Sequence, residues 1–149
     1  MAVDVVTTVD IEREREAVAA FASDPDNATT WYENIKRVEW KTTPPVAVGS
    51  RIAFVAHFLG KELAYTYEVH ELDPGKRLVM RTDEGPFPME TTYEWTAVAG
   101  DATRMRLRNR GAASGFSAWL APFMSWSIRR ANRKDLGKLK GLLESQDRG

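Results

Sequence analysis

The stretch FSAWLAPFMSWSIRRANRKDLGKLKGLL, residues 116–143, decides the fold. Its apolar residues Phe116, Trp119, Leu120, Phe123, Met124, Ile128, Leu136, Leu139 and Leu143 recur mostly at intervals of three and four. That spacing puts them on one face of a long helix. The most apolar part, residues 116–128, is too short to span a bilayer, which takes about 20 residues. Ser117, Pro122, Ser125 and Ser127 also interrupt it.

Just before this helix lies the clearest local signal. Met89, Thr91, Tyr93 and Trp95 alternate with Glu90, Thr92, Glu94 and Thr96. After a turn at Ala99, Gly100 and Asp101, Met105 and Leu107 alternate with Arg104, Arg106, Arg108 and Arg110. Alternation of this kind reads as a hairpin with one apolar face. With Gly100 at the turn centre, Glu94 faces Arg106, Glu90 faces Arg110, and Thr96 and Thr92 face Arg104 and Arg108. Opposite charges across a strand pair contribute about 0.2–1 kcal/mol each. The arginine row therefore reads as a solvated outer face. A phosphate or nucleic-acid site is the competing reading, but no aromatic residue interleaves on that face.

Further back the chain is mainly strands. Residues 51–59 set Ile52, Phe54, Ala56 and Phe58 against Arg51, Ala53, Val55 and His57. Gly60 and Lys61 turn into Leu63, Tyr65, Tyr67 and Val69. Asp73, Pro74 and Gly75 form the next turn, since proline presets one dihedral and glycine supplies the other. Leu78 and Met80 then share a face, and residues 35–42 form an earlier strand. Val- and Thr-rich residues 2–8 form the first. Between these two strands, Asp10 is expected to cap a helix carrying Val18 and Phe21. That helix ends near Ser23, because Pro25 disfavours helical geometry at Asp24. Asp24 then caps a second short helix with Pro25 at its first position, closed by Trp31 and Tyr32.

Composition bounds the function. The 149 residues read as one domain, 1–149, large enough to bury a core. Equal counts of 21 basic and 21 acidic residues give no global field favouring nucleic acid. The chain has no cysteine, which excludes disulfides, thiolate metal sites and a cysteine nucleophile. This fits a cytoplasmic location, as does the lack of a basic segment followed by an apolar run at the N-terminus. The two histidines, His57 and His70, both read as outward-facing, and two cannot build a zinc site. No phosphate loop, nucleophile elbow or metal-binding helix motif occurs. Gly137 and Gly141 read as a close-packing stripe against the sheet.

The order is a strand, two short helices, a run of antiparallel strands and a long terminal helix. Asp24-Pro25 followed by Trp31, Gly49 before a strand, and Tyr67-Glu68-Val69 leading to Asp73-Pro74 carry a resemblance over essentially the whole chain. So do Gly85-Pro86-Phe87 leading to Tyr93-Glu94-Trp95, and the end from Arg129-Arg130 through Asp135-Leu136 to Leu142-Leu143-Glu144. Together they resemble the START-like (SRPBCC) superfamily, in its polyketide cyclase/dehydrase-type and lipid-transport-like members.

The resemblance implies an α+β helix-grip fold. A curved antiparallel sheet of about seven strands would wrap a long C-terminal helix, with two short helices between the first two strands. It implies a small hydrophobic, aromatic or polycyclic ligand in a cavity between sheet and helix. The alternative is a cyclase or dehydratase acting in the same cavity, with proximity supplying most of the rate. Lining residues would be Phe54, Phe58, Tyr65, Tyr67, Met80, Tyr93, Trp95, Met105 and Leu107 from the sheet. Leu120, Met124 and Ile128 would come from the helix, with Trp31 and Phe87 near the mouth. The phenols of Tyr65, Tyr67 and Tyr93 and the amide of Asn109 would orient the ligand. The competing reading is that these aromatics simply fill a core. No catalytic residue, cofactor or metal is implied. Partners would be a small hydrophobic molecule, without nucleic acid or stable membrane insertion. Trp119, Phe123 and Trp126 beside Arg129, Arg130 and Arg133 suit either a homodimer or contact with a bilayer surface, unless they pack on the sheet.

Overall fold

A computed structural model describes residues 2–58, 60–84, 88–112 and 121–146. The elements are β1 (Ala2–Ile11), α1 (Arg15–Ser23), a 3-10 turn (Pro25–Asn27), α2 (Ala28–Trp31) and β2 (Ile35–Trp40). They continue with β3 (Arg51–Phe58), β4 (Lys61–Asp73), β5 (Arg77–Glu84), β6 (Met89–Val98), β7 (Ala102–Ala112) and α3 (Ala121–Gln146). The strands form one antiparallel sheet of seven in the order β1-β7-β6-β5-β4-β3-β2. This is the helix-grip arrangement, with the short helices between β1 and β2 and α3 packed chiefly along β1.

The β6–β7 register is the one the charge pattern predicts. Glu94 lies opposite Arg106, Glu90 opposite Arg110, and Thr92 and Thr96 opposite Arg108 and Arg104. Arg106 Nη1 reaches Glu94 Oε1 at 2.7 Å, and Arg110 Nη2 reaches Glu90 Oε1 at 3.0 Å. The first strand completes the row. Arg104 clamps Asp10 through two bonds of 2.8 and 3.1 Å, and Arg108 clamps Asp4 through two of 2.9 and 2.6 Å. Beneath these long side chains Val79 and Thr92 are buried on the outer face. Arginine stems can cover such surface while their heads stay wet.

Asp10 does not cap α1. It stays in β1, whose pairing with β7 continues to Ile11, and its carboxylate is taken by Arg104. The helix begins at Arg15, with Glu14 at the cap position making no side-chain cap bond. The second helix start is as expected: Asp24 Oδ1 accepts from the Asp26 amide at 3.0 Å, with Pro25 next in line. The second strand stops at Trp40, two residues before the expected end at Thr42.

The fold is packed solid at one end. Leu136, Leu139 and Leu143 meet Trp95, Met105, Leu107, Ile11, Val18 and Trp31 in one buried cluster. Polar ties hold α3 there. Lys140 Nζ donates to the Asp10 carbonyl at 2.8 Å, and Arg13 donates to the Leu143 carbonyl at 2.8 Å. The Glu12 amide donates to Glu144 at 2.9 Å. At the opposite end Met124 and Ile128 pack on Val3 and Val5, in a separate small cluster. The helix therefore runs parallel to β1. Gly137 and Gly141 do not pack on the sheet: both are exposed, and a Cβ on either would meet no atom within 4 Å. They lie on the side of α3 away from its leucine stripe.

Leu139 is 0 % exposed, so Leu139→Ala is expected to destabilise the protein by about 2–5 kcal/mol in denaturant titrations. Phe123, expected on the apolar face with the leucines, instead points outward and is 59 % exposed, so Phe123→Ala is expected to change stability by no more than about 0.5 kcal/mol.

Candidate functional site

The two apolar clusters do not merge. Between them, on inward-facing positions, the sequence places hydroxyl and amide groups. Along β1 the buried residues run Val3, Val5, Thr7 and Ile11. Along α3 the inward stripe runs Met124, Ile128, Asn132, Asp135, Leu136 and Leu139. Thr7 and Asn132 thus fall on the facing surfaces of a parallel strand and helix, between the contacts of Met124 and Ile128 and the leucine cluster. Among the described residues the Thr7 hydroxyl and the Asn132 amide nitrogen are both buried without a hydrogen-bond partner. The indole nitrogens of Trp31 and Trp95 are in the same state. Such orphaned groups are costly and call for an explanation.

The sheet contributes to the same layer. Thr91 on β6 faces Asn109 on β7, and Asn109 faces Val5 on β1. Thr91 Oγ1 donates to Asn109 Oδ1 at 2.9 Å, which leaves the Asn109 NH2 as a donor. The Tyr67 phenol is pushed up by burial, an effect offset in part by a hydrogen bond with Thr91. Phe54 packs edge-on against Tyr67 with ring centroids 5.7 Å apart. Tyr65, paired with Phe54 across the β3–β4 ladder, is half-buried, and burial raises its phenol too.

Next to this layer lies a buried acid and a pair of phenols. Asp135 is 4 % exposed, and its Oδ1 accepts from the Glu33 amide at 3.1 Å. Burial pushes its carboxyl up to about 6, helped by the Glu33 carboxylate and opposed by that amide and by Lys138 and Lys134. The hydroxyls of Tyr32 and Tyr93 share a hydrogen bond of 2.5 Å. Burial raises both phenols, and the charge of Asp135 adds to the effect. At neutral pH the two phenols keep their protons, whereas the Asp135 carboxyl, near 6, is still mostly ionised.

The structure separates the residues expected to line a cavity. Phe54, Met80, Tyr93, Trp95, Met105 and Leu107 belong to the main buried cluster, with Tyr67 packed against it. A gap there, beside Phe54, Leu78, Met80 and Tyr93, has a volume of about 10 Å³, no more than one water needs. Met124 and Ile128 sit on the opposite wall, on Val3 and Val5. Trp31 is not near the mouth. As the last residue of α2 it turns inward and is fully buried, with its ring 4.0 Å from Tyr32 and 5.9 Å from Tyr93. The side chain of Phe58, and all of Phe87 and Leu120, lie outside the described residues. An open groove of about 270 Å³ beside Trp40, Pro44, Pro45 and Asp26 lies on the outside and is unrelated to the interior.

Sequence reasoning missed Thr7, Tyr32, Asn132 and Asp135. The signal was present in the spacing. Thr7 continues the alternation of Val3 and Val5, and Asn132 and Asp135 are four and seven residues beyond Ile128. His57 and His70 face outward, beside Glu62 at 3.4 Å and Glu68 at 3.8 Å. Among the described residues no three His, Asp or Glu side chains converge on a metal position. No helix among them is long and apolar enough to cross a membrane.

Two variants test the electrostatics. The Asp135 carboxyl rises from an ordinary 3.8 to about 6, so it costs stability as pH climbs between those values and a constant amount above them. Asp135→Asn is expected to gain on the wild type across that window, levelling off at about 3 kcal/mol. Urea titrations at several pH values read the difference. Tyr93→Phe strands the buried Tyr32 hydroxyl and is expected to cost about 1–3 kcal/mol, whereas adding Tyr32→Phe recovers part of the loss.

Comparisons with known proteins agree with the geometry. No curated protein matches the chain in sequence. Among solved structures, TTHA0849 from Thermus thermophilus is similar with a TM-score of 0.82 at 20 % identity, covering 96 % of this chain and 98 % of its own. The Zhui aromatase/cyclase from a Streptomyces species gives 0.79 at 16 % identity, covering 97 % and 94 %. A START superfamily protein from Mycobacterium smegmatis gives 0.72 at 14 % identity, covering 96 % and 95 %. At these identities the likeness is one of fold. The sequence profile of one family matches residues 2–144, nearly the whole length, and the chain belongs to that family: polyketide cyclase / dehydrase and lipid transport.

Proposed function

We propose that the chain is a single ligand-binding domain that holds a small hydrophobic molecule, aromatic or polycyclic, between the sheet and the first half of α3. The observation that carries this reading is the break in the core. A polar layer with two orphaned groups, Thr7 Oγ1 and Asn132 Nδ2, separates a solid apolar cluster from a small one. A ligand with an apolar body and one or two oxygens would meet both needs. Its body would lie against Tyr67, Tyr65, Met124 and Ile128. Its oxygens would take the Asn109 and Asn132 amides. Phe54, Met80, Tyr93, Trp95, Met105, Leu107 and Trp31 would form the floor. The family's description, joining cyclase and dehydrase with lipid transport, supports an apolar cargo.

A second reading, chemical change of the bound molecule, is favoured by Asp135, a carboxyl near 6 beside two buried phenols. The aromatase/cyclase among the similar structures supports it as an alternative. Such a site could lend a proton to a bound carbonyl or hydroxyl.

Native mass spectrometry of protein purified from cells, compared with a denatured sample, tests the first reading. The expected result is a retained mass that leaves on denaturation. A hydrophobic dye should bind and be displaced by a fatty acid, an isoprenoid or a polycyclic aromatic. Ile128→Trp, which fills the proposed space, should abolish dye binding while unfolding stays cooperative. A clean apo mass with no displacement by any of the three classes would overturn the proposal. A ligand that leaves with an altered mass would select the second reading.

A further inference from the structure

The arginines of this protein divide into two populations. On the outer face of the sheet Arg104, Arg106, Arg108 and Arg110 each bind a carboxylate. On α3, among the described residues, Arg129, Arg130 and Arg133 pair with none. The helix carries six basic residues and two acidic ones, and one of the two, Asp135, is buried. The chain is neutral overall, so this face is a local concentration of positive charge.

The same face exposes its largest apolar groups. Phe123 is 59 % exposed and Trp126 53 %. Their rings stack at 6.2 Å, and the Arg130 guanidinium lies 5.5 Å above the Trp126 ring. Phe123, Trp126, Arg130, Arg133 and Lys134 follow helical spacing, so they form one outward stripe. The stripe continues through Gly137 and Gly141, which add no side chain to obstruct an approaching surface. It lies directly behind Met124 and Ile128, which pack on Val3 and Val5.

We propose that this stripe is a docking surface for an anionic lipid bilayer. An occupant must accept two aromatic rings from above and offer negative charge around them. A bilayer interface does both: aromatic rings settle at headgroup level while arginines meet anionic lipid. A second copy of the chain fits poorly, because mating the same faces would oppose Arg129, Arg130 and Arg133 with themselves. Contact is peripheral, since the helix does not have the length of apolar sequence to span. The inference does not depend on the interior holding a ligand.

Cosedimentation of the full chain with vesicles tests it. Pure phosphatidylcholine vesicles are compared with vesicles that also contain phosphatidylserine. The expected result is binding to the mixed vesicles alone, weakening as salt is raised. The pair Phe123→Ser with Trp126→Ser, and separately Arg130→Glu with Arg133→Glu, should each weaken binding by at least about tenfold. Both pairs lie on exposed positions, and unchanged thermal unfolding confirms that they fold. No binding to mixed vesicles at low salt would overturn the proposal, as would variants that bind like the wild type. So would a dimer in sedimentation equilibrium that Trp126→Ser dissolves, because the stripe would then belong to a second copy. Dye binding in vesicle-free solution is unaffected by any of these outcomes, which keeps this surface separable from the interior site.

Discussion

A sheet of seven strands, spaced about 4.8 Å apart, is roughly 30 Å wide, whereas a helix with its side chains is about 10–12 Å across. One helix cannot cover that inner face. Curvature brings the edges closer, and at one end α1, the 3-10 turn and α2 fill what remains. Val18, Ala19, Ala22, Ala28 and Trp31 are buried for that reason. No such filler stands among the described residues at the other end, where only Met124 and Ile128 meet Val3 and Val5. The polar layer of Thr7, Thr91, Asn109 and Asn132 marks where filling stops. The mismatch of widths leaves the inner face of the sheet unevenly covered, and the side chains decide where the cover is thin.

Much of this was written in short-range patterns. Alternation from Met89 to Arg110 gave the last hairpin, its turn at Gly100 and its register, because cross-strand charge pairs fix the pairing and one slip would turn Tyr93 and Trp95 outward. Proline at 25 gave the break between the short helices. Asp10 was misread because a residue suited to capping can be claimed by a strand, and Arg104, 94 positions away, is invisible to a local reading. Gly137 and Gly141 were misread because small residues suit close packing or open surface equally, and only the position of the leucine stripe decides. Trp31 was placed near a mouth because the direction taken by α2 depends on the tertiary packing of Trp31 against Tyr93.

The site was legible in outline and not in detail. The aromatic inner face was visible, but which aromatics fill a floor depends on depth along the strand, which alternation does not encode. Asn132 and Asp135 on an apolar stripe look like imperfections in a pattern. Their meaning appears only when Thr7, Tyr32, Tyr93 and the Glu33 amide come from distant elements to meet them. The outer face shows the converse. Its charges were legible one strand pair at a time, yet their near-complete neutralisation needed β1, at the far end of the sequence, to supply Asp4 and Asp10.

The ties between α3 and the rest of the chain have a mechanical consequence. Lys140, Leu143 and Glu144 are bound at 2.8–2.9 Å to Asp10, Arg13 and Glu12, all within the last two turns of the helix. The helix is thus held most firmly at its C-terminal root, while its N-terminal half rests on Val3 and Val5 through Met124 and Ile128. Sixteen residues separate Leu139 from Phe123, about 24 Å of lever arm. Each 5° of tilt at the root would carry the tip by about 2 Å while the leucine cluster turns almost in place.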